Sequence, residues 1–269
     1  NITEFIIYVY KLTWPFASLG WVTSLIQRAS ASQARINEFL TYQSSIINTP
    51  KITNSIQGQI EFKHVGFTYD DNNIEAIKDF NLKINKGEII GIKGQIGTGK
   101  TTLVNLLTRM YDTTKGEILI DGQPIKDFDI NTLRKSIACV PQDVFLFSDT
   151  IKNNIAFSTN KQFTDEEIIK AAKDAGVYDN IMSFPNGFDT VVGERGVTLS
   201  GGQKQRISIA RAIISKPQIL IFDDCLSAVD VETENLILTN LKEIMKDKTC
   251  IIISHRDSAL RDATKIIEL

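Results

Sequence analysis

The spacing of apolar and polar positions divides the chain near residue 50. From Phe5 to Ile26 apolar and aromatic side chains dominate, with Tyr8, Tyr10, Trp14, Phe16 and Trp21 among them. The stretch matches the ~20 residues that a helix needs to cross a bilayer. Against that stand several hydroxyl residues, Pro15, which kinks a helix, and Lys11, which costs roughly 3 kcal/mol near a bilayer centre. Taken alone, the segment leaves a membrane helix and a buried or interfacial helix equally open. Residues 25–41 (LIQRASASQARINEFLT) keep a helical character, and the basic residues Arg28, Arg35 and Lys51 suggest a chain emerging on the cytoplasmic side. The polar, turn-rich run SSIINTPKITNSIQGQ, with Pro50 and Gly58, then supplies a linker, drawn at 46–58.

Beyond Gln59 the period shortens to two. QIEFKHVGFTY reads as an extended strand, and FNLKINKG closes a hairpin-like stretch. GEIIGIKG is a short apolar run ending on glycine, the pattern of a strand buried on both faces, and KTTLVNLLTRMY follows it with helical spacing. TDEEIIKAAKDAG opens on a capping box, Thr164 with Glu167, and closes on Gly176. PQILIFDD and KTCIIISH add two buried-strand candidates. Strands alternating with helices predict an α/β core with parallel strands.

Composition changes little in this picture. The net charge of -2 over 269 residues offers no global attraction to nucleic-acid phosphates, so no nucleic-acid partner is expected. The cysteines Cys139, Cys225 and Cys250 are far apart, with no CxxC pair and no histidine at metal-ligand spacing, and read as small buried side chains. The first residues lack a basic leader and a small-x-small cleavage site, so they do not read as a signal peptide.

The chemistry concentrates in Gly94-Gln95-Ile96-Gly97-Thr98-Gly99-Lys100-Thr101, which fills the phosphate-loop pattern at every fixed position, with Thr102 just inside the helix. Its glycines let the backbone turn N–H groups toward phosphate oxygens, and the helix start adds a positive dipole end. Lys100 is expected on the β- and γ-phosphates of ATP and the Thr101 hydroxyl on Mg²⁺. Such a loop needs an acidic partner for magnesium, and Asp223, at the end of ILIFDD, supplies one from a buried strand.

Between these motifs stands Leu199-Ser200-Gly201-Gly202-Gln203, which resembles the signature motif of ABC ATPases. The resemblance covers residues 59–269, and other landmarks follow in the family's order. Tyr69 matches the aromatic that stacks on adenine, and Gln142 the glutamine between Mg²⁺ and the transport domain. Ser227–Asp230 matches the loop after the acidic strand, and His255 the switch histidine on the γ-phosphate. VGERG at Val192–Gly196 looks like the segment that touches the coupling helices of a transmembrane partner. DVFLFSDTIKNNI (143–155) resembles the exporter pattern, and residues 1–45 resemble the end of a half-transporter's last transmembrane helix. With this support, Phe5–Ile26 is read as a membrane segment.

The resemblance implies a P-loop NTPase core with a mainly parallel sheet, an antiparallel β subdomain and a helical signature subdomain (about 143–215). It implies a cytoplasmic-face ATPase of the cell membrane that sandwiches two ATP molecules with a second such domain. Ser200, Gly201, Gly202 and Gln203 then serve the partner's nucleotide. The chain stops at IIEL soon after His255 and starts inside the apolar segment, so a longer polypeptide is expected. One position departs from the family pattern. The catalytic glutamate after the magnesium aspartate is here Asp224, whose shorter side chain predicts slow hydrolysis at this site. Beside an intact LSGGQ, that resembles the degenerate half of a heterodimeric exporter. Two other readings remain open, a soluble ABC ATPase without transport and an ATP-gated interaction module.

Overall fold

The computed structural model describes residues 2–70, 73–95, 97–157, 162–193, 199–226 and 231–269, with side chains of the last span from 233 onward. It separates into two compact units, Asn1–Ile47 and Asn48–Leu269.

The first unit is the helix α1 (Ile2–Thr41), 40 residues long, with Pro15 inside it and no buried residue. The helix expected around Phe5–Ile26 is therefore present. Among the described residues, however, no helix is long and apolar enough to cross a membrane. Length is ample; apolarity is what falls short, because Lys11 and a series of hydroxyl residues dilute the run. Thr13, Ser18 and Thr23 bond back to the carbonyls of Val9, Pro15 and Leu19, at 2.8, 2.8 and 2.7 Å.

The second unit holds two sheets. An antiparallel sheet has the order β2-β1-β4-β5, from β1 (Ile60–Tyr69), β2 (Ile74–Ile84), β4 (Lys115–Ile120) and β5 (Gln123–Pro124). A parallel sheet has the order β6-β7-β8-β3-β9, from β3 (Ile89–Lys93), β6 (Ile137–Val140), β7 (Ile219–Asp223), β8 (Thr249–Ile253) and β9 (Lys265–Glu268). The hairpin and the three apolar runs read from the sequence are β1–β2, β3, β7 and β8.

Those apolar runs follow from burial on both faces. Along β7, Leu220 and Phe222 enter a core shared with the helices α4 (Ile151–Ile155), α5 (Asp165–Asp174), α6 (Tyr178–Met182), α7 (Gly201–Ile214) and α8 (Val231–Met245). Ile219 and Ile221 enter a second core with α2 (Lys100–Leu107) and the antiparallel sheet. Ile252 and Ile251 of β8 divide in the same way. Each such isoleucine or leucine contributes about 1.5–3 kcal/mol by leaving water, which clamps the central strands. A further helix, α3 (Ile130–Ser136), starts at Asp129, whose side chain accepts from Thr132 N.

Three boundaries differ from the sequence expectation. The helix after the phosphate loop ends at Leu107, because Arg109 takes a left-handed backbone (φ 54°) two residues later. In the signature region, helices begin only at Ile151, while α5 carries the expected Thr164–Glu167 capping box and stops before Gly176 (φ 66°). The linker is docked from Asn48 onward. Lys51 and Ile52 donate backbone N–H groups to Asp127 O, Asn48 bonds Asp129, and Asp121 accepts from the backbone of Gln57, Gly58 and Gln59. Ile56 is buried in the second core. A turn-rich sequence thus runs as an ordered strap, because Ile52 and Ile56 pack on the core and its amides find the Asp127 carbonyl and the Asp121 carboxylate.

Candidate functional site

Parallel strands aim their carboxyl ends at one edge, and the cleft of this unit opens there. It has about 440 Å³ of room and is lined by Tyr69, Ala76, Gly97, Gly99, Lys100, Thr101, Thr102, Gln142, Asp223, Asp224 and His255, with Ile74, Glu75 and Ile253 at its borders. β3 delivers residues 94–101, β6 ends two residues before Gln142, β7 ends on Asp223, and β8 ends two residues before His255. Four separate stretches of sequence thus meet because four adjacent strands end together.

The loop from β3 to α2 is shaped by its glycines. Gly97 and Gly99 have φ of 87° and 93°, a region where side chains other than glycine are strained. A Cβ at Gly99 would lie 2.6 Å from Ala76 O, whereas one at Gly97 would meet nothing within 4 Å. Gly99 is fixed by close backbone approach and Gly97 by its turn alone, on the side that faces the cleft. Lys100 folds over the loop, its Nζ donating to Gly94 O at 2.7 Å and Gln95 O at 2.6 Å. Thr98 Oγ1 also donates to Gln95 O, at 3.0 Å. Gly94, Gln95 and Thr98 therefore build the loop without lining the cleft, while Ile96 lies outside the described residues.

Opposite the loop, Thr101 Oγ1 donates to Asp223 Oδ2 at 3.1 Å. Asp223 is buried, and desolvation pushes its carboxyl above the usual range while the Thr101 hydroxyl holds it back. The adjacent Asp224 takes a left-handed backbone (φ 45°), and its N–H donates to Ile253 O at 2.9 Å. Burial raises its carboxyl too, opposed by the charges of His255, Arg256 and Lys100.

A threonine hydroxyl, an aspartate and a glutamine amide are hard oxygen donors, the set that magnesium takes together with substrate phosphates. Among the described residues no group of three or more His, Cys, Asp or Glu forms, so no all-protein metal cage competes with that arrangement. Thr101, Gln142 and Asp223, which line the same cleft, suit a small hard cation that would be held together with a polyphosphate.

Tyr69 borders the cleft but does not stand alone. Its hydroxyl bonds Thr102 Oγ1 at 3.0 Å, and its ring makes edge contacts with Phe67 and Tyr111, with centroids 4.8 and 5.5 Å apart. His255 is exposed within the cleft lining.

The signature residues lie elsewhere. Ser200 caps α7: its Oγ accepts from Gln203 N at 3.2 Å, and Gln203 Oε1 accepts from Ser200 N at 2.9 Å. None of Ser200, Gly201, Gly202 and Gln203 lines the cleft. The capping box takes up the Gln203 amide and leaves the Ser200 hydroxyl proton and the N–H groups of Gly201 and Gly202 without a partner inside α7. Glu194–Gly196 of VGERG, and Ser227–Asp230, lie outside the described residues.

Sequence reasoning missed two ties at this edge. Lys93, next to the phosphate loop, pairs with Asp257, and buried Glu234 of α8 pairs with Arg256 at 2.6 Å. No local spacing signals such pairs, since their members lie far apart in sequence.

The comparisons with known proteins agree with this geometry. The protein-family model of ABC transporters matches residues 77–227, more than half of the chain. Proteins of Staphylococcus aureus strains NCTC 8325 and COL, named as multidrug export ATP-binding/permease proteins, are each 51% identical over 211 residues. The match takes in 78% of this chain and 36% of theirs, so the chain spans about a third of the length of these relatives. The structure of a bacterial Atm1-family ABC exporter with ATP bound matches with a TM-score of 0.83 and 36% identity, over 97% of this chain and 46% of that one. The phosphate loop, acidic strand and signature turn thus stand within a match that spans most of the fold, and this chain belongs to the ABC transporter family, with its α/β P-loop architecture.

Proposed function

We propose that the chain is the ATP-binding and ATP-hydrolysing part of an ABC exporter. In this reading it binds ATP with Mg²⁺ in the cleft at the carboxyl edge of the parallel sheet. The observation that carries it is the Thr101–Asp223 contact of 3.1 Å, facing a glycine-built loop that ends in Lys100. Lys100 would leave the loop carbonyls for the β- and γ-phosphates. Thr101, Gln142 and Asp223 would hold the cation, which neutralises phosphate charge when bound. Tyr69 would stack on the base, His255 would reach the γ-phosphate, and Asp224 would face the attacking water.

Aspartate carries its carboxylate about 1 Å or more short of where a glutamate would, and a misplacement of that size costs on the order of 10²-fold. The site then holds ATP and cleaves it slowly. None of Ser200–Gln203, at the start of α7, lines this cleft, which suits a role on the nucleotide of a second half-transporter that carries the glutamate. The export role and the membrane rest on the names of the similar exporters and on residues 1–45, the coupling-helix contacts on the VGERG segment, and the heterodimer on Asp224 beside an intact LSGGQ. Within α1, Thr13, Ser18 and Thr23 satisfy their hydroxyls on the helix backbone, which lowers the cost of placing them in an apolar surrounding.

The test is ATP turnover by this chain alone and mixed with a glutamate-bearing partner. Slow turnover alone and fast turnover only in the mixture is expected. Exporter-like rates from the chain alone would refute the slow-site reading, and recovery of the membrane-expressed protein wholly in the soluble fraction would refute the exporter. The Asp224 substitution also favours an ATP-gated interaction module, which complete absence of single-turnover cleavage in the mixture would select.

A further inference from the structure

The geometry points to Glu234 as a positioning residue for His255, acting through a clamp on the turn that follows β8. This inference rests on the proposed contact between His255 and the γ-phosphate, and it adds what holds that histidine in place.

Every residue flanking His255 is tied to another element. Ser254 N donates to Ile92 O at 3.3 Å, and Arg256 N donates to Ser254 Oγ at 3.1 Å. Arg256 Nη1 donates to Glu234 Oε2 at 2.6 Å and to Leu226 O at 3.4 Å, and Ser258 Oγ donates to Glu234 Oε1 at 2.5 Å. On the other side, Asp257 pairs with Lys93, which immediately precedes Gly94 of the phosphate loop. The turn is thus held from β3 and from α8, with the His255 ring left exposed to the cleft between the two holds.

Glu234 is the buried centre of this arrangement, at 1% exposure. A carboxylate taken out of water is costly, and a buried ion pair adds little stability over an apolar pair of the same volume. What it does add is direction: two oxygens, each fixed by one donor from the same turn, set both its height and its rotation. A ring with only two side-chain torsions is then aimed largely by its backbone.

The test uses the full chain and Glu234→Gln, which keeps shape and one acceptor oxygen but removes the charge. The chain has two histidines, so imidazole NMR reads His255 directly once His64→Gln assigns the other signal. The probes are the non-hydrolysable analogue β,γ-imido-ATP with Mg²⁺ for binding and labelled ATP for single-turnover cleavage. The expected result is unchanged analogue affinity with a lower melting temperature, because a buried carboxylate partner of Arg256 is removed, together with loss of the analogue-induced shift of His255 and single-turnover cleavage slower on the order of tenfold. Wild-type cleavage and a wild-type His255 shift in Glu234→Gln would overturn the inference. A joint fall in affinity and melting temperature would also overturn it, by making Glu234 a fold residue. No analogue-induced His255 shift in the wild-type chain would instead overturn the γ-phosphate role, and the inference with it.

Discussion

Asp224→Glu is the substitution whose outcome is most constrained by the geometry. It lengthens the side chain by one methylene at a residue whose neighbours in the cleft are Lys100, Asp223 and His255. Restoring a base displaced by about 1 Å recovers up to about 10²-fold, inside the 10²–10⁴-fold that a positioned base contributes. The backbone opposes part of this gain. Residue 224 sits at φ 45°, in the left-handed region that aspartate tolerates better than longer side chains. Left-handed backbone costs an ordinary residue roughly 1–2 kcal/mol, and the part that aspartate relieves is lost in the variant. A lower melting temperature together with a single-turnover rate raised between ten- and about a hundredfold is therefore expected, with ATP affinity unchanged. The assay is single-turnover cleavage of labelled ATP by the chain in its assembled complex, with melting followed in parallel. Unchanged cleavage at unchanged affinity would refute the reasoning, since distance would then not be the defect.

Other consequences follow from the same contacts. Gly99→Ala places a methyl against Ala76 O at a left-handed position, so nucleotide affinity and thermal stability should both fall, by about 1–2 kcal/mol or more in melting experiments. Asp223 has its pKa raised by burial, so the stability its neutral form contributes is present below its unfolded pKa and lost as pH rises through the folded one. Asp223→Asn should accordingly melt higher than wild type at neutral pH yet lose magnesium-dependent ATP binding. In the wild type, that binding should weaken on acidification at pH values above the ordinary aspartate range, as equilibrium titrations across pH would reveal. Ser200→Ala removes the α7 cap at a cost of about 1 kcal/mol, and it should leave ATP affinity at this chain's own cleft unchanged while slowing cleavage in the assembled dimer.

Much of this site was legible because its parts are local. A strand, a glycine turn and a helix start lie within a dozen residues at Ile89–Lys100, so period and turn chemistry suffice to read them. The capping box at Thr164 is equally local. Asp223 was readable because the run before it is apolar at every position, the consequence of a strand buried on both faces. What escaped was long-range. The strap at 48–58 looks like a linker in composition, and the partners Asp121, Asp127 and Asp129, with a core site for Ile56, make it part of the fold. β4 and β9 lack such an uninterrupted apolar run, and their pairing, like that of β6, depends on neighbours distant in sequence. The left-handed turn at Asp224 and the aromatic contacts of Tyr69 carry no sequence signal, for both depend on elements that meet only after folding.

The central claim, that the glycine loop and Asp223 form one magnesium-dependent ATP site, is tested most directly by equilibrium ATP titration with and without Mg²⁺. The wild-type chain should bind one ATP per chain, and removing Mg²⁺ or substituting Lys100→Ala should each weaken binding by at least about tenfold, the loss of one charge-assisted contact. Binding that ignores both magnesium and Lys100 would contradict the account.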